Sequence, residues 1–191
     1  QADDCQPLER LLQDSQIHLN TNLNLASDSN LEEWINSLTS VWQQGRGVAF
    51  AISLPPPNPI ANPFDPQGHA GGSGHVDQGQ RILVGGIGLE LDPSNHCGEL
   101  GFWIGREYRR NGFATEAAAA VMKYGFEGLG LNKITASHLE TNPVSGKILR
   151  EMGMEIEGVL RKQVRRSGSF YDLICYGVLA KDFRYRSASS S

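Results

Sequence analysis

"GELGFWIGREYRRNGFATEA", residues 98–117, runs from a short apolar segment through a cationic turn into an alanine-rich one. Residues 98–105 read as a strand, because Leu100, Phe102, Trp103 and Ile104 are strand formers bounded by glycines. The segment after the turn reads as a helix, with Ala117, Ala120, Val121 and Tyr124 on one stripe and a close near Gly128 and Gly130. Gly112 stands one residue before that helix. A helix start leaves several N–H groups unpaired and carries roughly half a unit of positive charge, so a glycine there lets an anion approach the backbone. Arg109 and Arg110 add guanidinium donors, Thr115 adds a hydroxyl, and Ala114 and Ala117 leave the entrance clear. The stretch is suited to a diphosphate, although Arg-Arg-Asn-Gly also makes a surface turn. Neither GxxxxGK[ST] nor GxGxxG is present, so it is not a P-loop or a dinucleotide fingerprint.

The remaining chain supplies partners for this strand and helix. Leu8, Leu11 and Leu12 predict a helix over about residues 4–16. Ser29 and Glu32 have capping-box spacing ahead of Leu31, Trp34, Ile35 and Leu38, which predicts a second helix running to Gly45. VAFAISL (48–54) and RILVGGIGLEL (81–91) read as strands, and Gly85, Gly86 and Gly88 predict a bulge or a close backbone approach. Residues 55–80 hold six of the nine prolines and five glycines without periodicity, the composition of a long mobile loop. KITASHL (133–139) is a further strand. Asn142 as N-cap, Pro143 at the first helical position and Gly153 past the end delimit another helix, with Val144, Ile148, Leu149 and Met152 as its buried face. Two strands, about 155–165 and 170–179, flank a turn at Ser167-Gly168. Hairpins and βα units alternate, so the expected fold is α/β, with a single mixed, mostly antiparallel sheet and flanking helices.

A chain of 191 residues suits one domain. We expect residues 1–183 to form it, followed by a flexible serine-rich tail at 184–191. No apolar run approaches the ~18 residues of a membrane span, and the acidic start has no secretory h-region, so the expected location is cytoplasmic. Cys5, Cys97 and Cys175 match neither a disulfide framework nor a zinc site. His69 and His75 lack ligand partners at the right spacing, so no metal is expected. Charge is uneven. Residues 1–100 carry twelve carboxylates against three Lys and Arg, and residues 101–191 carry nine against fourteen. Solvated faces explain such clustering, and so does a protein that meets a cation with one half and a polyanion with the other. The net charge of −4 and the lack of an aromatic-interleaved basic run disfavour nucleic acid as that polyanion.

Arg109-Arg110-Asn111-Gly112-Phe113-Ala114 resembles the Q/R-x-x-G-x-G/A signature with which GNAT N-acetyltransferases hold the pyrophosphate of acetyl-CoA. FEGLGLNKI (126–134), ETNPVSGKILREMGM (140–154) and YDLICYGVLAKDF (171–183) follow in that family's order, most similar to its ribosomal-protein N-terminal acetyltransferase branch. The resemblance covers residues 81–183 well and 4–54 more weakly. It departs at three places: the family's first strand has no counterpart before the first helix, the 55–80 loop is longer, and Met154 replaces a common aromatic.

The resemblance implies that strand 99–104 splays from strand 133–139 and that pantetheine pairs with the backbone of Phe102, Trp103 and Ile104. It places the diphosphate on Arg109, Arg110, Asn111, Gly112, Phe113, Ala114 and Thr115, with Asn142 and Ser145 also beside the cofactor. Acetyl transfer to an amine by direct attack in a ternary complex needs a neutral nucleophile, stabilised negative charge on oxygen and a protonated leaving thiolate. Ser145 is the expected acid, or else a helix-start serine serving the backbone. Glu99 is the expected base, with His138 and Glu140 behind it, and an N-terminal amine titrating near pH 8 also manages without one. The acceptor is then a protein N-terminus, a polyamine or an aminoglycoside. A non-catalytic acyl-CoA-binding module is the alternative. An uncovered sheet edge further suggests a homodimer.

Overall fold

The computed structural model describes residue 11 and residues 40–55 and 81–184. Six strands form one sheet: β1 (Gly47–Leu54), β2 (Ile82–Asp92), β3 (Cys97–Ile104), β4 (Lys133–Leu139), β5 (Glu155–Arg166) and β6 (Ser169–Leu179). Their order is β1-β2-β3-β4-β6-β5. Every neighbouring pair is antiparallel except β3 and β4. This is the mixed, mostly antiparallel sheet read from the sequence. Two helices, α1 (Phe113–Lys123) and α2 (Pro143–Glu151), follow β3 and β4. The expected 4–16 helix, most of the 29–45 helix, the 55–80 loop, the absent first strand and the tail beyond 184 lie outside the described residues. Within them, Leu11 is helical and buried, and helical turn 40–43 ends at Gly45 with φ +64°.

Both helices cover the same face of the sheet. Ala118, Val121 and Met122 of α1 and Leu149 of α2 join Ile87, Leu89, Leu100, Ile134, Ala136, Tyr176 and Val178 in one buried cluster. The α1 stripe is rotated from the expected one, because Ala120 is exposed and Tyr124 is 44% exposed. Four consecutive alanines (117–120) carry no phase information, and Val121 with Met122 set the phase instead. After Lys123 the chain widens into a π-turn, Tyr124–Gly128, which swings Tyr124 edge-on to Phe50 of β1 at 6.3 Å. Val144 is likewise 67% exposed rather than buried, and Gly146 occupies the α2 face instead. A Cβ on Gly146 would strike His138 Nε2 and lie 2.9 Å from the Tyr176 hydroxyl, so α2 packs closer to the sheet than any other residue at 146 allows.

A glycine of β2 makes the expected close approach, while the bulge falls at Val84, beside Gly85. The β2 register against β1 shifts between Ile52 and Ser53, and a Cβ on Gly86 would lie 2.6 Å from the Trp103 indole nitrogen. The outer strand β5 is interrupted twice, between Ile156 and Gly158 and between Leu160 and Val164. Such bulges bend a strand and blunt a sheet edge.

Candidate active site

β3 and β4 pair only from Cys97 to Leu100 against Lys133 to Ala136. Beyond that point the strands part, as the sequence resemblance implied. The bond from Gly105 N to Val84 O fixes the alternation along β3: Trp103 and Gly101 turn their polar backbone groups towards β2, while Phe102 and Ile104 turn theirs into the gap. The edge offered to a ligand is therefore that of Phe102 and Ile104. Trp103, expected to share that role, instead lays its ring on Gly86 and is 6% exposed. Both helices begin at the open end of the gap, since each follows the C-terminal end of a gap-lining strand.

At the start of α1, Gly112 is the N-cap with φ +80°, and no side chain caps the helix. The first intrahelical bond is Glu116 N to Gly112 O at 3.0 Å, which leaves the N–H groups of Phe113, Ala114 and Thr115 outside the helical ladder. Arg110 also has positive φ (67°) and Asn111 does not, an alternation that gathers successive N–H groups into a concave anion nest. Nothing lies within 4 Å of a Cβ built on Gly112. Asn111 spends its side-chain amide on Tyr108 O (3.1 Å) and Arg109 O (3.2 Å), which holds the turn. Arg109 Nε donates to Ile104 O at 3.1 Å and ties the turn to the end of β3. Arg110 is exposed.

The start of α2 is capped as its sequence predicts. Asn142 Oδ1 accepts from Ser145 N at 3.4 Å, and Asn142 Nδ2 donates to Ser145 Oγ at 2.8 Å. Beneath this turn Arg150 donates to the Tyr176 hydroxyl (2.9 Å), which lies 3.3 Å from His138 Nε2, while His138 Nδ1 lies 2.8 Å from Leu139 O. With the carbonyl as acceptor, Nδ1 carries the proton and Nε2 accepts from the tyrosine. His138 is 7% exposed and committed on both nitrogens, so it acts as a brace under α2. Nothing in the local sequence announces this network, whose members lie 26 and 38 residues apart.

Glu99 lies on the other face of the sheet, exposed, and accepts from Ser137 Oγ at 3.3 Å. Its antiparallel partner is Glu90. The structure thus sets Glu99 and Ser145 on opposite sides of the sheet. Cys175 is half-buried nearby. Burial, then the Glu99 and Glu157 carboxylates, push its thiol up, so it stays protonated at neutral pH. Glu140 is engaged elsewhere: it accepts from Lys162 Nζ at 3.1 Å and from Asp172 N at 2.9 Å. Lys162, φ 51°, stands in the second β5 bulge and also reaches Asp172 Oδ1 at 3.2 Å. The two carboxylates are held below, and the ammonium above, their ordinary ranges, chiefly by hydrogen bonds within this cluster. Among the described residues no helix is long and apolar enough to cross a membrane.

The chain is similar to known proteins in sequence and in fold. Residues 1–155 match the acetyltransferase (GNAT) domain family. An uncharacterized N-acetyltransferase of Bacillus subtilis, YoaA, is 39% identical over 98 residues, 51% of this chain and 55% of its own length. The [ribosomal protein uS5]-alanine N-acetyltransferase of Escherichia coli is 26% identical over 126 residues, covering 65% of each chain. The chain thus spans little more than half of the first and just under two thirds of the second. The structure of Mycobacterium smegmatis RimJ in complex with CoA-disulfide superposes with a TM-score of 0.71 at 19% identity, covering 95% of this chain and 79% of that one, a likeness of fold.

Proposed function

The chain belongs to the GNAT acetyltransferase family, and from that premise we propose that it moves an acetyl group from acetyl-CoA to a primary amine, by direct attack in a ternary complex. The observation that carries this reading is the one-sided gap: β3 leaves its pairing with β4 after Leu100, and the uncapped Gly112 turn and the α2 start with Ser145 each follow the open end of a strand that lines it. A long ligand with an amide-bearing arm and a diphosphate fits both features. Phe102 and Ile104 offer the arm a strand edge, and the amides of residues 110–115 with Arg110 receive the phosphates. Arg109 and Asn111 shape the turn.

Acetyl-CoA supplies an activated thioester; the chain supplies proton handling and charge. The Phe102 N–H faces the gap and suits negative charge developing on the carbonyl oxygen. Ser145 returns a proton to the departing sulfur, since its oxygen already accepts from Asn142 and its hydrogen is free for another acceptor. Glu99 receives the proton of the attacking amine from the opposite face, directly or through water. Acid and base on opposite faces serve two different atoms of the tetrahedral intermediate, the departing sulfur and the attacking nitrogen.

The acceptor class within this proposal is a protein N-terminus, with polyamine and aminoglycoside as the other amines. Residues 1–183 acting as one cytoplasmic unit, and as a homodimer, belong to the same proposal, and sedimentation tests the last. Turnover of acetyl-CoA against peptide N-termini, spermidine and an aminoglycoside tests the function. Binding without turnover of any amine leaves an acyl-CoA-binding module.

A further inference from the structure

The last residue pair joining β4 to β6 is Leu139 with Leu173, yet β6 begins four residues earlier, at Ser169. At ~3.4 Å per residue the β5–β6 hairpin overshoots β4 by about 14 Å. It does so at the end of the sheet where the gap opens and α2 begins. From Leu160 to Tyr171 the hairpin contains Arg161, Lys162, Arg165 and Arg166 and no carboxylate. Lys162 is neutralised by Glu140 and Asp172, which pins the bulge two residues from Asn142. The three arginines are different. Among the described residues none of them enters an ion pair; Arg161 and Arg165 are exposed, and Arg165 stands 5.8 Å over the ring of Phe170, itself 57% exposed. Arg161 acts on the Asp172 carboxylate from a distance, whereas Arg165, beside Phe170, and Arg166, its neighbour on the opposite face of the hairpin, have no carboxylate against them among the described residues, so the overshooting tip is anion-receiving on both faces.

We infer that this hairpin receives carboxylate side chains of the acceptor, so that the preferred substrate is a polypeptide whose N-terminal amine is followed by acidic residues. The inference rests on the proposed acetyl transfer and narrows it. A free polyamine carries only positive charge and is repelled by the hairpin it must pass. Nucleic acid supplies the anion but offers no aliphatic primary amine to acetylate. A polypeptide start joins both demands in one molecule: the ammonium runs towards the Glu90 and Glu99 face, and the carboxylates lie back along Arg165 and Arg166.

The test measures kcat/KM at low salt for three acceptors: a peptide with Asp or Glu at positions 2–5, the same peptide with Asn or Gln there, and spermidine. The expected preference of the acidic over the neutral peptide is about fivefold to tenfold, the sum of two exposed ion pairs of ordinary strength, and it shrinks as salt is added. R165Q/R166Q collapses that ratio towards one while acetyl-CoA affinity, read by calorimetry, stays the same. A wild-type protein that treats both peptides alike, or prefers spermidine, overturns the hairpin assignment and leaves acetyl transfer standing. A double variant with weakened acetyl-CoA binding reassigns the arginines to the cofactor and overturns it too. So does tight binding of single-stranded RNA that the variant loses. Failure to acetylate any amine counts against the proposed function itself. A lysine-substituted peptide gives a second reading without any variant: it is expected to be the poorest acceptor of the series.

Discussion

Asn142 Nδ2 donates to Ser145 Oγ at 2.8 Å, so the serine's oxygen is occupied as an acceptor and its hydrogen is left to give away. If that hydrogen goes to the departing thiolate, Ser145→Ala loses an interaction made only in the transition state. The expected result is a fall in kcat of at least about a hundredfold with acetyl-CoA affinity nearly intact. Asn142→Ala removes both the cap and the orienting bond, and is expected to cost about 1 kcal/mol of stability together with part of kcat. A folded Ser145→Ala protein with near-normal kcat assigns proton delivery to water.

Gly112 combines left-handed φ of +80° with open space around a built Cβ. Gly112→Val therefore meets two penalties, roughly 1–2 kcal/mol of backbone strain and an obstruction in the path of the diphosphate. Gly112→Asn separates them, because asparagine tolerates this conformation while still filling the space. Both variants are expected to weaken acetyl-CoA binding severely by calorimetry, and only the valine to lower the melting temperature much. Unchanged affinity in Gly112→Asn would remove the diphosphate from this turn.

Gly146→Ala pushes a methyl against His138 and the Tyr176 hydroxyl, both buried and hydrogen-bonded. Overpacking of this kind is expected to cost about 1–3 kcal/mol, visible as a lower denaturation midpoint. Because the clash sits directly under the turn carrying Ser145, kcat is expected to fall with stability. A variant as stable as the parent would mean that α2 stands off the sheet.

The Lys162 cluster gives the hairpin a pH dependence whose sign follows from its shifts. Asp172 and Glu140 have folded-state values below their ordinary 3.8 and 4.5, so their contribution is complete above those values and is lost as pH falls through the lowered ones. Lys162 is raised above 10.5, so its contribution is complete below that value and is lost as pH rises through the raised one. Between these limits the Lys162 amide, which donates to Asp172 Oδ1 at 2.9 Å, is expected to be slow in hydrogen exchange and to loosen in acid. Asp172→Asn is expected to abolish that acid transition. If the transition persists in the variant, another group anchors the bulge.

What could be read from the residues was local. The strand read at 98–105 and found at Cys97–Ile104, the Gly112 turn, the Asn142–Pro143 helix start and the Gly153 stop are each written within a few consecutive positions. In the structure Gly153 has φ +80°, with Met154 N on Leu149 O and Gly153 N on Arg150 O, a paired closure that needs a glycine at its centre. What escaped was set across the sheet. The buried stripe of α1 lay hidden in an alanine run, and Val144 passed for core because its period is right while Gly146 does the packing. The His138–Tyr176–Arg150 brace and the Lys162 bulge depend on register between distant strands, so no window of sequence holds them.

The four-residue contact between β3 and β4 gives the sheet the outline of a pair of tongs. β1 to β3 form one arm and β4 to β6 the other, and among the described strands they share a single short rivet from Cys97 to Leu100. In the proposed function a ligand along the Phe102 edge supplies the missing rungs, which would make it a structural member as well as a reactant. The amides of Phe102 and Ile104 are then the ones whose exchange rates should respond most to occupancy, and the melting temperature should climb with ligand concentration as mass action requires.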